Sequence, residues 1–351
     1  THPPKAVGLP FLGIWLTLTY LGWTMIQIPY LSWGAELSPD YRERNRICGW
    51  REGATIFGIM LAAGIPLLGL GEGASDLPLV INLTFLIVLV LLPLTFSASL
   101  AYVPEGQYYL RQSTSMKEAL ASAWKNKPLR RILSGVLCYR VAWSIYDATF
   151  VLFVLEVLDL DFGFLPLILA QYMASIAFSP VLVKLANRFG KHIVLSISLA
   201  AGAGLLLLIY FINPVNQPAL ALALWAPLGL ANTALWLMPT SMIADTVDYG
   251  IWRNMPAQSG LYMASYNFIQ KFSLALGIGL AFPLLDFLGF KVGGDGQAAN
   301  SQVLEVMTCI VPAGMLLLAG LWLWRFPITE RRQRAIRLRI DRRDSSVPGT
   351  L

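Results

Sequence analysis

Charge is scarce in this sequence: Asp, Glu, Lys and Arg make up 13% of the 351 residues, about half of the ~25% usual for a soluble domain. That excludes an ordinary soluble enzyme. Cysteine is scarce too. Cys48, Cys138 and Cys309 stand far apart, with no CxxC pair and no histidine nearby, so neither a disulfide framework nor a metal site is indicated. Walker loops, GxSxG elbows, HExxH helices and dinucleotide fingerprints are all missing, so an enzyme would need an unrecognised site.

Apolar sequence is what abounds. Hydrophobic residues make up 56% of the chain and the mean hydropathy is +0.61. Apolar runs long enough to cross a bilayer recur along its length, and a run of ~20 residues spans the ~30 Å hydrocarbon core as a helix. About nine spans are expected: Leu9 to Glu36, Arg46 to Leu70, Leu77 to Val103, Arg130 to Val157, Phe164 to Leu185, Ile193 to Ile212, Leu220 to Ile243, Gly260 to Leu288 and Val303 to Trp324. Breaks are placed at Gly71-Glu72-Gly73, at Asn213-Pro214 and over Gly289 to Asn300. The fold class is an all-α polytopic membrane protein.

The formal net charge of +6 is read as topology, not nucleic-acid binding, because of where the cations fall. Counted on alternate sides of nine spans, 22 of the 26 Lys and Arg lie on one side, which the positive-inside rule makes cytoplasmic. The C-terminus is then cytoplasmic, in a plasma (inner) membrane, and Thr1 is outside. An odd span count with an external Thr1 leads to the expectation of three preceding helices in a six-plus-six protein. On that expectation 1–103 completes an N-terminal bundle (helices 4 to 6), 104–129 is a cytoplasmic linker, 130–326 a six-helix bundle and 327–351 a basic tail. The tail, alternating Arg with Ile and Leu from Glu330 to Arg343, either lies on anionic lipid or simply fixes topology.

A short echo fits two related halves. Pro29 precedes Ala35-Glu36 and Asp40-Tyr41, as Pro239 precedes Ala244-Asp245 and Asp248-Tyr249, and the following spans carry Arg51 and Lys271. These stretches, with Glu36-Leu37-Ser38-Pro39-Asp40-Tyr41-Arg42-Glu43-Arg44, Asp245-Thr246-Val247-Asp248-Tyr249-Gly250 and Leu284 to Phe290, resemble the glycoside-pentoside-hexuronide:cation symporters of the major facilitator superfamily, the melibiose permease-like family. Leu185 to Lys191 is similar to the superfamily's inter-helix loop. The resemblance implies symport of a sugar, glycoside, uronide or similar solute with Na⁺ or H⁺, by rocking of two helical bundles. It also implies that the main cation site lies on helices before Thr1, that no other cofactor is needed, and that the partners are a small solute, a cation and the bilayer. At two positions this chain departs from the melibiose permease pattern, with Gln27 for an aspartate and Leu31 for a stacking tryptophan. Gln27 still donates and accepts hydrogen bonds, without charge.

Intramembrane charge is costly, ~2.5–3.5 kcal/mol for a lone cation at the helix centre on insertion scales, and asks for a reason. Lys271, Arg140 and Asp147 are buried in predicted spans, the last two separated by two turns on one helix face. Arg51, with Glu52 beside it, sits early in its own span. The expected substrate or coupling set is Gln27, Arg51, Arg140, Trp143, Asp147, Tyr266 and Lys271; the structural alternatives are snorkelling, helix-end anchoring and pairing with a neighbouring helix. Tyr20, Trp23, Tyr30, Tyr139, Tyr146, Trp236 and Tyr262 are further candidates for stacking on a ring. Glu36, Asp40, Glu43, Arg44, Asp245, Asp248 and Arg253 form an expected cytoplasmic gate of salt bridges between bundle ends. Gly53, Gly58, Gly64, Gly260, Gly277 and Gly279 are read as sites of close helix approach. A lipid or lysolipid carrier of the same fold and a non-transporting membrane sensor remain as alternatives.

Overall fold

The computed structural model describes residues 8–38, 40–64, 77–104, 115–160, 163–255, 259–290 and 297–345. With no water in the bilayer core, backbone polar groups must pair within their own segment, so crossing segments become helices. Thirteen helices result among these residues: α1 (Leu9–Glu36), α2 (Tyr41–Gly64), α3 (Leu77–Tyr102), α4 (Met116–Lys125), α5 (Lys127–Phe153), α6 (Leu165–Phe189), α7 (Lys191–Ile212), α8 (Pro218–Trp225), α9 (Leu228–Trp252), α10 (Ser259–Phe287), α11 (Gln297–Glu305), α12 (Val311–Trp324) and α13 (Glu330–Ser345). No strand occurs among the described residues. Single π-helical turns extend α5 through Leu158 and join α11 to α12.

Among the described residues, eight spans are long and apolar enough to cross a membrane. The ninth expected span is α2, which at 24 residues reaches ~36 Å but carries Arg42, Glu43, Arg44, Arg46, Arg51 and Glu52 in its first half. Of those charges, Arg44 and Glu52 are buried and Arg51 nearly so, and all three are paired, whereas Arg42, Glu43 and Arg46 are exposed at the start of the helix. The span expected from Leu220 is α8 and α9, broken by a turn at Ala226-Pro227, and its helix runs on to Trp252. The break at 71–73 and part of those expected over 289–300 and 104–129 lie outside the described residues.

The central layer is α5, flanked by α10 and α12, while α7 bridges α12 to α9 and α6 covers α9. Helix α1 runs along α10, and its Trp33 indole donates to the Pro104 carbonyl beyond α3 at 3.0 Å. A basic end is defined where the starts of α2, α5 and α7 meet the end of α9. Asn126 is the keystone there: it caps α5 through Leu129 N–H and donates to Thr246 O at 2.9 Å and Tyr262 Oη at 3.1 Å. The linker is not featureless, because Ser115 and Glu118 form a reciprocal capping box that starts α4.

The tail also packs on the bundle. Its α13 docks on α9 and touches α2, with Ile336 and Ile340 buried, because the alternating Arg and apolar residues give a helix one oily stripe. Of the six expected glycines only Gly277 has a wall against it, Ser144 Cβ at 2.4 Å from an added Cβ; Gly53, Gly58 and Gly279 face open space, and Gly260 has only Ser32 Oγ at 3.9 Å. Gly64's surroundings lie outside the description. An equally tight approach, here against backbone, is at Gly229, where a Cβ would fall 2.4 Å from Gln171 O and 2.7 Å from Ser175 N. Backbone cannot yield there, so Gly229→Val is expected to separate α6 from α9 and cost ~1–3 kcal/mol, read as a lowered midpoint of thermal unfolding in detergent, with Gly279→Val as the near-neutral control.

Candidate functional site

Arg140 and Lys271 lie 13 and 12 residues into α5 and α10, so each sits ~20 Å along its helix, near the middle of a ~30 Å core. They line one cavity of ≈ 190 Å³ together with Tyr20, Trp23, Gln27, Trp143, Ser144, Asp147, Trp236, Asn267, Gln270 and Leu274. Five of the seven expected substrate or coupling residues therefore share a chamber: Gln27, Arg140, Trp143, Asp147 and Lys271. The helix period explains the α5 members, since 140, 143, 144 and 147 fall on one face.

The chamber is unevenly satisfied. The guanidinium carbon of Arg140 is 3.8 Å from the Trp236 ring centroid, yet Nε and Nη2 are buried with no hydrogen-bond partner in the protein. Gln27 Oε1 and Tyr266 Oη are in the same condition. Buried polar groups are almost always paired, and exceptions collect at functional sites. Lys271 meets no carboxylate among the described residues: its ammonium donates to the Thr24 hydroxyl and lies 4.7 Å from the Trp23 and 5.7 Å from the Tyr20 ring centroid. Asp147 opens onto the same chamber without forming an ion pair with Arg140.

The other two expected residues flank the chamber. Tyr266 is fully buried in α10 behind it. Arg51 is nearer the basic end, held to Glu52 at 2.6 Å and to Thr240 Oγ1 at 3.0 Å, so Glu52 is its partner rather than a lipid-facing acid. Of the aromatic candidates, Tyr20, Trp23 and Trp236 reach the chamber. Tyr139, Tyr146 and Tyr262 are buried in the packing core and Tyr30 is exposed, while Leu31 is buried.

At the basic end, three of the seven expected gate residues converge. Arg44 Nη1 on α2 donates to Asp245 Oδ1 at 2.9 Å and Asp248 Oδ2 at 3.1 Å on α9. All three side chains are within 3% of full burial. The expectation missed Lys191, whose ammonium reaches Asp245 Oδ2 at 2.6 Å and sits 3.7 Å from the Tyr41 ring centroid, while Tyr41 Oη accepts from the Lys191 N–H. It also missed α13, which supplies Gln333 and Arg337 to Asp248 at 3.3 and 3.5 Å. Lys191 carried a signal, the loop similarity it closes; the tail carried only its stripe.

The remaining four are elsewhere. Glu36 accepts from Ser259 Oγ, joining α1 to α10. Asp40 caps α2 through Arg42 and Glu43 N–H, Glu43 accepts from Ser38 and faces Arg46 of its own helix, and Arg253 is exposed at the end of α9. Capping holds Asp40 at the start of α2, and Ser38 and Arg46 hold Glu43 there.

A bundle of helices long and apolar enough to cross a membrane, set around a polar chamber at mid-depth with a buried charged knot at one end, has the architecture of the major facilitator fold. The chain belongs to the MFS/sugar transport protein family, whose model matches residues 2–330. It is 23% identical over 340 residues to the glucuronide carrier protein homolog of Escherichia coli, covering 94% of this chain and 73% of that protein. To the inner membrane symporter YicJ of the same species it is 24% identical over 320 residues, 89% of this chain and 68% of that protein. To the sodium-dependent lysophosphatidylcholine symporter 1 of Homo sapiens it is 26% identical over 211 residues, 59% of this chain but 38% of that protein. The chain thus spans under half the length of the lysophosphatidylcholine symporters it matches.

Removing one partner of a buried, hydrogen-bonded charge group costs ~3–5 kcal/mol. In Arg44→Gln, two carboxylates face Lys191 without the cation on α2, and the helices should part. The native thiol of Cys48, 3% exposed on α2, reports this: its labelling by a membrane-impermeant maleimide should rise at least ~tenfold, with Cys48→Ser as the blank. An unchanged rate would detach the ion cluster from closure of this end.

Proposed function

We propose that this chain carries the solute site of a cation-coupled symporter whose solute is a small polar sugar derivative bearing one anionic group, a uronide-type glycoside fitting best. The observation that carries this reading is Arg140, buried and with two of its guanidinium nitrogens unpaired by any protein acceptor, in a chamber that also holds Lys271. Two cations against the single carboxylate of Asp147 leave the chamber one positive charge in excess. A carboxylate on the solute would meet Arg140 in a charge-assisted, bidentate pairing. Gln27, Asn267 and Gln270 suit sugar hydroxyls, and Trp23, Trp143 and Trp236 offer faces for a ring.

Coupling to Na⁺ or H⁺ is supported by relatives named as symporters, and the uronide by one named as a glucuronide carrier homolog. Alternating access would then break the Arg44, Asp245, Asp248 and Lys191 cluster as the basic end, read as cytoplasmic, opens in a plasma membrane. The cluster makes closure of that end a discrete state instead of a continuum. The lysolipid reading draws on relatives so named. A chamber of ≈ 190 Å³, polar on several sides, suits one sugar ring better than an acyl chain.

The test is uptake into proteoliposomes by the full gene product under imposed Na⁺ or proton gradients, with a labelled glucuronide, a neutral glycoside and lysophosphatidylcholine side by side. Gradient-driven glucuronide accumulation is expected. Arg140→Gln should reduce it at least ~30-fold, equivalent to ~2 kcal/mol, while altering any neutral glycoside uptake by only a few-fold. Lys271→Ala should abolish accumulation. Uptake of the lysolipid alone would sink the sugar reading, and a neutral preference would sink the anionic one.

A further inference from the structure

A second concavity lies away from the chamber, on the bundle's outer surface between α4, α5, α10 and α12, with a volume of ≈ 840 Å³. Its walls are apolar: Leu120, Leu133, Leu137, Phe268, Ile269 and Trp322. At its basic end stand Lys127, Arg130 and Arg131, and no Asp or Glu is among its lining residues. Arg131 is fixed, donating from Nε and Nη2 to Trp322 O at 3.1 and 2.8 Å with its guanidinium over that ring. Arg130 is exposed with Trp124 as its ring neighbour at 5.7 Å. Lys127 is exposed as well, and neither it nor Arg130 joins an ion pair among the described residues.

We infer that this groove is a binding site for an anionic phospholipid of the leaflet at the basic end, its phosphate held by Lys127 and Arg130 and one acyl chain laid along α5 and α10. Charge complementarity selects the occupant. A purely apolar partner would leave two free cations at the rim unanswered, and a free phosphate would leave the long apolar wall unfilled. The depth agrees, because Lys127 opens α5 and α4 beside it is amphipathic, so cations and headgroups share the interface. Because α4 and α5 meet at Asn126, which is tied to α9 and α10, the lipid braces the elbow that holds the basic end together. The site is independent of which solute the chamber takes.

The experiment is native mass spectrometry of the delipidated full gene product with phosphatidylglycerol, phosphatidylcholine or inorganic phosphate. Retention of phosphatidylglycerol at least ~tenfold over phosphatidylcholine is expected, reduced to parity in Lys127→Gln with Arg130→Gln. Ser265→Trp fills the groove without touching charge and should lower retention of both lipids; thermal unfolding checks that each variant is folded. Equal retention of the two lipids by the unmodified protein would overturn the assignment, as would a preference that both variants keep. Displacement by inorganic phosphate alone would also overturn it, by showing that the apolar wall contributes nothing. A dimer held through this face in place of lipid would do so too.

Discussion

The buried ion cluster at the basic end is what the rest of the arrangement hangs on. Arg44 from α2 meets Asp245 and Asp248 from α9, and Lys191 from α7 completes it. Arg337 from α13 stands 3.5 Å from Asp248 at its edge, so three cations surround two carboxylates in a space nearly closed to solvent, and each carboxylate is tolerable only in the presence of its cations. Helices α2, α7 and α9 are therefore joined at one defined register. The neighbouring polar contacts follow from that register: Asn45 on α2 donates to Asn187 on α6 at 2.7 Å and accepts from Ser241 on α9 at 2.8 Å.

Closure at that end gives the mid-depth chamber its meaning. Charge placed ~20 Å along α5 and α10 is sustainable in a bilayer only when turned inward, toward polar neighbours or a wet space. Lys271 is satisfied by a hydroxyl and two rings on α1. Arg140 is satisfied only in part, by the face of Trp236. The asymmetry between these two cations is chemically useful, since the one with unpaired donors can bind and the one already engaged can hold α1 to α10.

Much of this was legible one residue at a time. Apolar length placed the spans, because a bilayer imposes a fixed thickness on any helix that crosses it. The cost of intramembrane charge singled out Arg140, Asp147 and Lys271, and a shared helix face predicted that the first two would look the same way. The seven acidic and basic residues at helix ends were harder to read. Capping draws Asp40 back to α2, and an intrahelical neighbour draws Glu43, whereas Arg44 one residue later points across to α9. A difference of 100° per residue decides that, and composition does not encode it. Lys191 was missed because a cation at a helix start already has an adequate explanation in topology.

The sequence by itself determined an all-helical membrane protein, the side on which its cations gather and the identity of its intramembrane charges, since each depends on local hydropathy and on a bilayer of known thickness. Tertiary structure alone decided which charges meet. Arg44 and Asp245 are 201 residues apart, and Thr24 and Lys271 are 247 apart. Such pairings are fixed by helix rotation and crossing, which apolar surfaces packed in lipid leave nearly degenerate until close approaches, such as Gly229 against α6, and buried polar contacts choose among them.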